Sequence, residues 1–173
     1  MLNITTVNMG SGKELLFGKL SEKDRNSSAE DELLSNVEPW KVMVIDDDDE
    51  IHQVTIMVLG DYTFEGRPVE IIQGYSGGSC RTLMKKHPDT AVLLLDVVME
   101  TESAGLETVK YIRDQLGNHK VRIVIRTGQP GQAPEHKVME NFDINGYVEK
   151  TELTAQKLFS CLTTSLRAYR DIP

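Results

Sequence analysis

The chain has 173 residues but only two cysteines, Cys80 and Cys161. They stand far apart, match no metal-ligand spacing and fall in segments of helical pattern, so both read as small buried hydrophobes rather than as a disulfide scaffold. Cysteine use this sparse fits a reducing, cytoplasmic setting. Basic residues are outnumbered, 19 Lys and Arg against 27 Asp and Glu, for a net charge of −8. With the cations scattered, that balance excludes direct nucleic-acid binding. No apolar run approaches the ~20 residues that span a bilayer. Nor does a basic stretch lead into an apolar one at the N-terminus, so neither a membrane span nor a secretory leader is expected. The four histidines, His52, His87, His119 and His136, form no spaced cluster and read as surface residues. Gly10-Ser-Gly-Lys13 lacks the earlier glycine and the preceding strand of a phosphate loop. The run from Asp46 is no calcium loop, because its sixth and twelfth positions are Ile51 and Met57. Gly74 to Gly78 follows a strand pattern but fits no dinucleotide fingerprint and reads as a turn.

Hydrophobic residues make up 39% of the chain, enough for one core of ordinary size. Residues 1–39 are polar, with Gly10, Gly12, Ser27 and Ser28 and little periodicity, and read as an N-terminal tail holding at most one short helix from Ser28 to Leu34. From Trp40 the pattern is regular. Short apolar runs at Lys41–Ile45, Val69–Gln73, Ala91–Leu95, Val121–Ile125 and Ile144–Val148 read as five strands. Helical segments alternate with them, at Glu50–Leu59, Ser79–Lys86, Leu106–Leu116, Pro134–Asn141 and Leu153–Arg170. Strands that are apolar throughout, separated by helices, predict an α/β fold: a doubly wound five-stranded parallel sheet with helices on both faces, spanning residues 40–171.

In such a sheet the chemistry gathers outside the carboxyl ends of the strands. Those ends carry Asp46 to Glu50 after the first strand, Asp96 after the third, Thr127 after the fourth and Lys150 after the fifth. Each has an ordinary explanation. Consecutive acids suit a helix N-terminus, an aspartate caps turns, and threonine and lysine end strands in many proteins. Together, in chain order, they form the donor set of a phosphoryl-transfer site. Acids from two strands repel one another unless a cation sits between them. Mg²⁺ takes oxygen ligands of that kind. A lysine neutralises phosphoryl oxygens, a hydroxyl donates to them, and Asp96 stands where a carboxylate nucleophile belongs.

Val42-Met-Val-Ile-Asp46-Asp47 resembles the opening of response-regulator receiver domains, and the resemblance runs from about Lys41 to Arg170. It implies the flavodoxin-like receiver fold, with Asp96 as phosphoacceptor. Asp47, Asp96 and the backbone carbonyl of Val98 would be Mg²⁺ ligands, with Asp46 acting largely through water. Thr127 and Lys150 match the family's hydroxyl and lysine, and Tyr147 its aromatic switch residue. Asp96-Val-Val-Met-Glu-Thr, Arg126-Thr-Gly-Gln-Pro-Gly-Gln-Ala-Pro-Glu135 and Glu149-Lys-Thr-Glu-Leu-Thr154 are similar to receivers at the N-terminus of larger cyclic-di-nucleotide regulators, often ending in an HD-GYP phosphodiesterase. On that footing the chain is a fragment whose output domain is absent. Its phosphate comes from a histidine kinase or phosphotransfer protein, and its last two helices and fifth strand form the face for a twin subunit or output domain. The chain departs from the family at three places. Thr151 replaces the proline after the lysine, so a trans peptide is expected there. Glu100 replaces the proline four past the phosphoacceptor. Gly105 lies one residue later than usual, which lengthens the loop.

Two other functions compete. A haloacid-dehalogenase-like phosphohydrolase also uses an aspartate, Mg²⁺, a hydroxyl and a lysine. Its nucleophile follows the first strand, and Glu50 or Ile51 stands where its pattern needs Thr or Val. The third is a receiver-shaped interaction module that is never phosphorylated. On the first reading the chain is a phosphoacceptor, not an enzyme with a separate substrate.

Overall fold

A computed structural model describes residues 37–128 and 134–173. The expected short helix from Ser28 to Leu34 and residues 129–133 lie outside the described residues. Among those described, strands and helices alternate as the sequence predicts: β1 (Trp40–Ile45), α1 (Asp49–Leu59), β2 (Thr63–Phe64), β3 (Arg67–Gly74), α2 (Gly77–Lys86), β4 (Val92–Asp96), α3 (Ala104–Lys110), β5 (Arg122–Thr127), α4 (Glu135–Asn141), β6 (Gly146–Glu149) and α5 (Ala155–Arg170). A π-helical turn, Tyr111–Gln115, continues α3, and a 3-10 turn, Lys150–Glu152, follows β6.

The sheet order is β2-β3-β1-β4-β5-β6. Five strands pair in parallel. The expectation of five strands is corrected to six, since the two-residue β2 pairs antiparallel with the start of β3. The reason is the turn between them. Glu65 (φ 53°) and Gly66 (φ 74°) both adopt left-handed backbone, the conformation of a tight two-residue hairpin.

Both faces of the sheet are covered, which is why the central strand β4 is buried at every position and β1 and β5 at all but one. Met43, Ile45, Leu93, Leu95, Ile123 and Ile125 point to the side packed by Cys80 and Met84 of α2, Val109 of α3 and Val138 of α4. Val42, Val44, Val92, Leu94 and Val124 point to the side packed by Leu59 of α1 and by Leu158, Leu162 and Leu166 of α5. The chain leaves β1 toward β3 and then crosses to β4 on the other side of β1. That reversal opens a crevice at the carboxyl ends of β1 and β4. No helix among the described residues is long and apolar enough to cross a membrane.

Candidate functional site

The crevice holds the acids. Asp46 ends β1 and is fully buried; Asp96, the last residue of β4, is 4% exposed; Asp47 is exposed at the rim. One carboxylate oxygen from each lies within 4.8 Å of the others, so three hard oxygen donors converge on one point. This set fits a divalent cation such as Mg²⁺, which neutralises adjacent carboxylates and accepts oxygen ligands. The 3-10 turn after β6 brings Lys150 over the same point. Its Nζ lies 2.7 Å from Asp96 Oδ2 and 3.0 and 2.9 Å from the two Asp46 oxygens. Burial alone would lower the Lys150 pKa, but its bonds to Asp96 and Asp46 outweigh this and raise it. Burial raises the Asp96 carboxyl, with Lys150 opposing. Asp96 Oδ1 accepts from the Val97 amide at 2.7 Å, leaving the side chain held at both oxygens.

The loop from Val97 to Ser103 is closed by local bonds, Met99 N–H to Thr101 O at 3.1 Å and Gly105 N–H to Val97 O at 3.0 Å. Gly105 is required there: a Cβ would stand 1.9 Å from the Asp96 carbonyl oxygen. Glu100, in the family's proline position, reaches across to α2 and accepts from the amides of Gly77 (3.1 Å) and Gly78 (3.3 Å). Val98 is half-buried against the core. No peptide bond among the described residues is cis, so Lys150–Thr151 is trans as expected. Thr127 is buried at the end of β5, and Tyr147 of β6 shares a hydrogen bond with it. Burial raises the Tyr147 hydroxyl. The structure therefore brings Asp46, Asp47, Asp96 and Lys150 together and joins Thr127 to Tyr147.

Two further residues, His52 and Arg126, stand behind the acids. His52 is buried, not a surface residue as its sequence context suggests. It shares the inner face of α1 with Thr55 and Leu59, its Nε2 lies 2.9 Å from the Asp46 carbonyl oxygen, and its ring packs on Tyr75. Arg126, 1% exposed, donates to Thr55 Oγ1 at 3.1 Å and reaches Asp46 Oδ2 at 3.5 Å. A charged residue inside the apolar run Arg122–Thr127 was the one sequence signal for it.

No family model matches the chain. It is 50% identical over 140 residues to 3'3'-cGAMP-specific phosphodiesterase 2 of Vibrio cholerae, covering 81% of this chain but only 27% of that relative's length. Two solved structures are covered along almost their whole length. A response regulator receiver domain from Clostridium thermocellum superposes with a TM-score of 0.61 at 21% identity, covering 75% of this chain and 96% of that one. The signal receiver domain of an HD domain-containing protein from Pseudomonas fluorescens gives 0.65 at 16% identity, covering 78% and 95%. This is the receiver fold. Asp46, Asp47, Asp96 and Lys150 sit on it at the carboxyl ends of β1, β4 and β6, in its topological crevice.

Proposed function

We propose that the chain is a phosphorylation switch in which Asp96 accepts a phosphoryl group from a histidine kinase or phosphotransfer protein in the cytoplasm. The observation that carries this reading is the convergence of Asp46, Asp47, Asp96 and Lys150 from three strand ends on one point of the crevice. In the transfer, an Asp96 carboxylate oxygen bonds to phosphorus. The phosphorus–nitrogen bond to the donor imidazole breaks, and its electron pair stays on that ring. Asp47, Asp96 and the Val98 carbonyl would hold Mg²⁺ directly and Asp46 largely through water, and the ion would supply positive charge to balance the phosphoryl oxygens. Lys150 is placed to take one of those oxygens and the Thr127 hydroxyl another. Because the phosphoryl group ends on the protein's own side chain, this is a signalling domain rather than an enzyme with a separate substrate.

Drawing Thr127 toward the phosphoryl group would break its bond to Tyr147 and free the ring to move. Tyr147 lines an open cleft of about 610 Å³ between β6 and the helices α4 and α5. We assign that face to an output domain or a twin subunit. The chain spans about a quarter of a relative named as a cyclic-dinucleotide phosphodiesterase, which supports an output of that class. Beside the crevice, Val54, Ile56 and Met57 of α1 are exposed apolar side chains and offer a surface to the phosphate donor.

The test is intact mass after incubation with acetyl phosphate and Mg²⁺, comparing wild type with Asp96→Ala. One phosphoryl group gained by the wild type alone is the expected result. No gain would leave an unphosphorylated interaction module. Phosphate retained by the variant would move the nucleophile to the end of β1 and revive the phosphohydrolase reading.

A further inference from the structure

Arg126 is the buried cation of the site that the transfer does not use. It lies one residue before Thr127 and is paired in register with Asp96 on the neighbouring strand. Its side chain enters the layer between the sheet and helices α1 and α5. Of its donors, one terminal nitrogen meets Thr55 and the other reaches Asp46 only at 3.5 Å. Its Nε has no partner. An arginine kept as a structural clamp would have its fork filled.

Removing this side chain would orphan nothing. Asp46 keeps Lys150 on both oxygens and the Asp48 amide on one. The Thr55 hydroxyl keeps its bond to the Ile51 carbonyl at 2.7 Å. Burying a guanidinium this way is costly, and a Leu or Met would fill the same space without that cost. What Leu or Met cannot provide is a positive charge beside Asp46 and Asp96, the two carboxylates whose fields act on Arg126.

We propose that Arg126 is a positioning residue whose fixed charge, acting through Asp46, weakens divalent-cation binding to the resting site and favours the site once a phosphoryl group stands on Asp96. This rests on the reading of Asp96 as phosphoacceptor. The charge balance gives the direction. Asp46, Asp47 and Asp96 against Lys150 and Arg126 leave one net negative charge, which a divalent ion converts to one net positive. An acyl phosphate on Asp96 adds one further negative charge and brings the loaded site to neutrality. Without Arg126 the neutral state would instead be the metal-bound, unphosphorylated one, and the phosphorylated site would carry an uncompensated negative charge.

The experiment uses the 173-residue chain as wild type, R126M, R126Q and R126K. Titration calorimetry measures Mg²⁺ alone, and then beryllofluoride at saturating Mg²⁺. In R126M and R126Q, Mg²⁺ binding should tighten and beryllofluoride binding should weaken, each about tenfold, the scale of one unit charge near a divalent ion in a half-solvated site. R126K, which keeps the charge, should stay within about twofold of wild type on both probes. Opposite shifts cannot come from damaged packing, which would weaken both. Two neutral variants are used so that one folded protein suffices. Unchanged affinities, or a parallel loss of both, would overturn the role of Arg126 while leaving the switch intact. A wild type that binds neither probe would overturn the phosphoacceptor reading itself.

Discussion

Two buried arginines mark the two ends of one sheet, and they are held in opposite ways. Arg113 lies at the amino end, turned inward by the π-helical turn Tyr111–Gln115. Its Nε donates to the Asp143 carbonyl at 2.9 Å. Its terminal nitrogens donate to Asn118 O at 2.6 Å, Val121 O at 3.0 Å and Asn145 Oδ1 at 3.5 Å. The Asp143 carboxylate sits 3.0 Å from Nε and balances the charge. Every part of the fork is filled, mostly by backbone carbonyls of the loops at that end. Arg126, at the carboxyl end, has an empty Nε and one long contact, and it faces carboxylates rather than carbonyls. The first pattern is that of a staple. The second is that of a charge kept for its field, and it occurs where the chemistry is.

The largest effect that would sharpen this contrast is expected from Gly105→Ala. Its new Cβ would lie on the Asp96 carbonyl, so the start of α3 and the end of β4 must part. Urea denaturation should show a loss of roughly 4 kcal/mol, together with loss of phosphorylation by acetyl phosphate. A stable, phosphorylated variant would mean that the loop has slack the packing does not reveal. Arg113→Met comes next. Taking this donor from several carbonyls should cost roughly 3 kcal/mol in the same assay, with Mg²⁺ affinity unaltered. If Arg113→Met instead weakened Mg²⁺ binding, the two ends would not be independent and the comparison would fail.

Glu100→Gln is the mildest. It keeps an acceptor for only one of the amides of Gly77 and Gly78, which now bond separate oxygens, and removes the charge at the start of α2, worth about 0.5–1 kcal/mol at neutral pH. Burial would raise the Glu100 carboxyl, but amide donors from its own backbone, Gly77 and Gly78 outweigh it and hold the carboxyl below its ordinary 4.5. A depressed acid stabilises the fold above its unfolded value and loses that contribution as pH falls through the folded one. The difference between wild type and Glu100→Gln should therefore be full near neutrality and shrink below pH 4.5. A difference independent of pH would show that the amides do not sense the charge.

Much of this was legible in the order of residues. Asp46, Asp96, Thr127 and Lys150 could be placed at strand ends because each follows an apolar run whose length and composition are local properties. The short β2 was not legible, because two residues carry no periodicity and only the paired left-handed turn at Glu65 and Gly66 creates it. His52 was misread for a related reason. Its environment is set by which face of α1 meets the sheet, and Val54, Ile56 and Met57 give that helix an apolar outer face that blurs the pattern.

By itself, then, the sequence determined the alternation of elements and the identity of the groups at the sheet's carboxyl edge, since both follow from hydrophobic period and residue type within a few neighbours. Only the tertiary structure decided what stands around those groups. Arg126 meets Thr55 across 71 positions and Asp46 across 80, and Glu100 reaches Gly77 across 23. Such pairings depend on strand order and helix placement, which are properties of the whole packed chain and leave no local trace in the residues that make them.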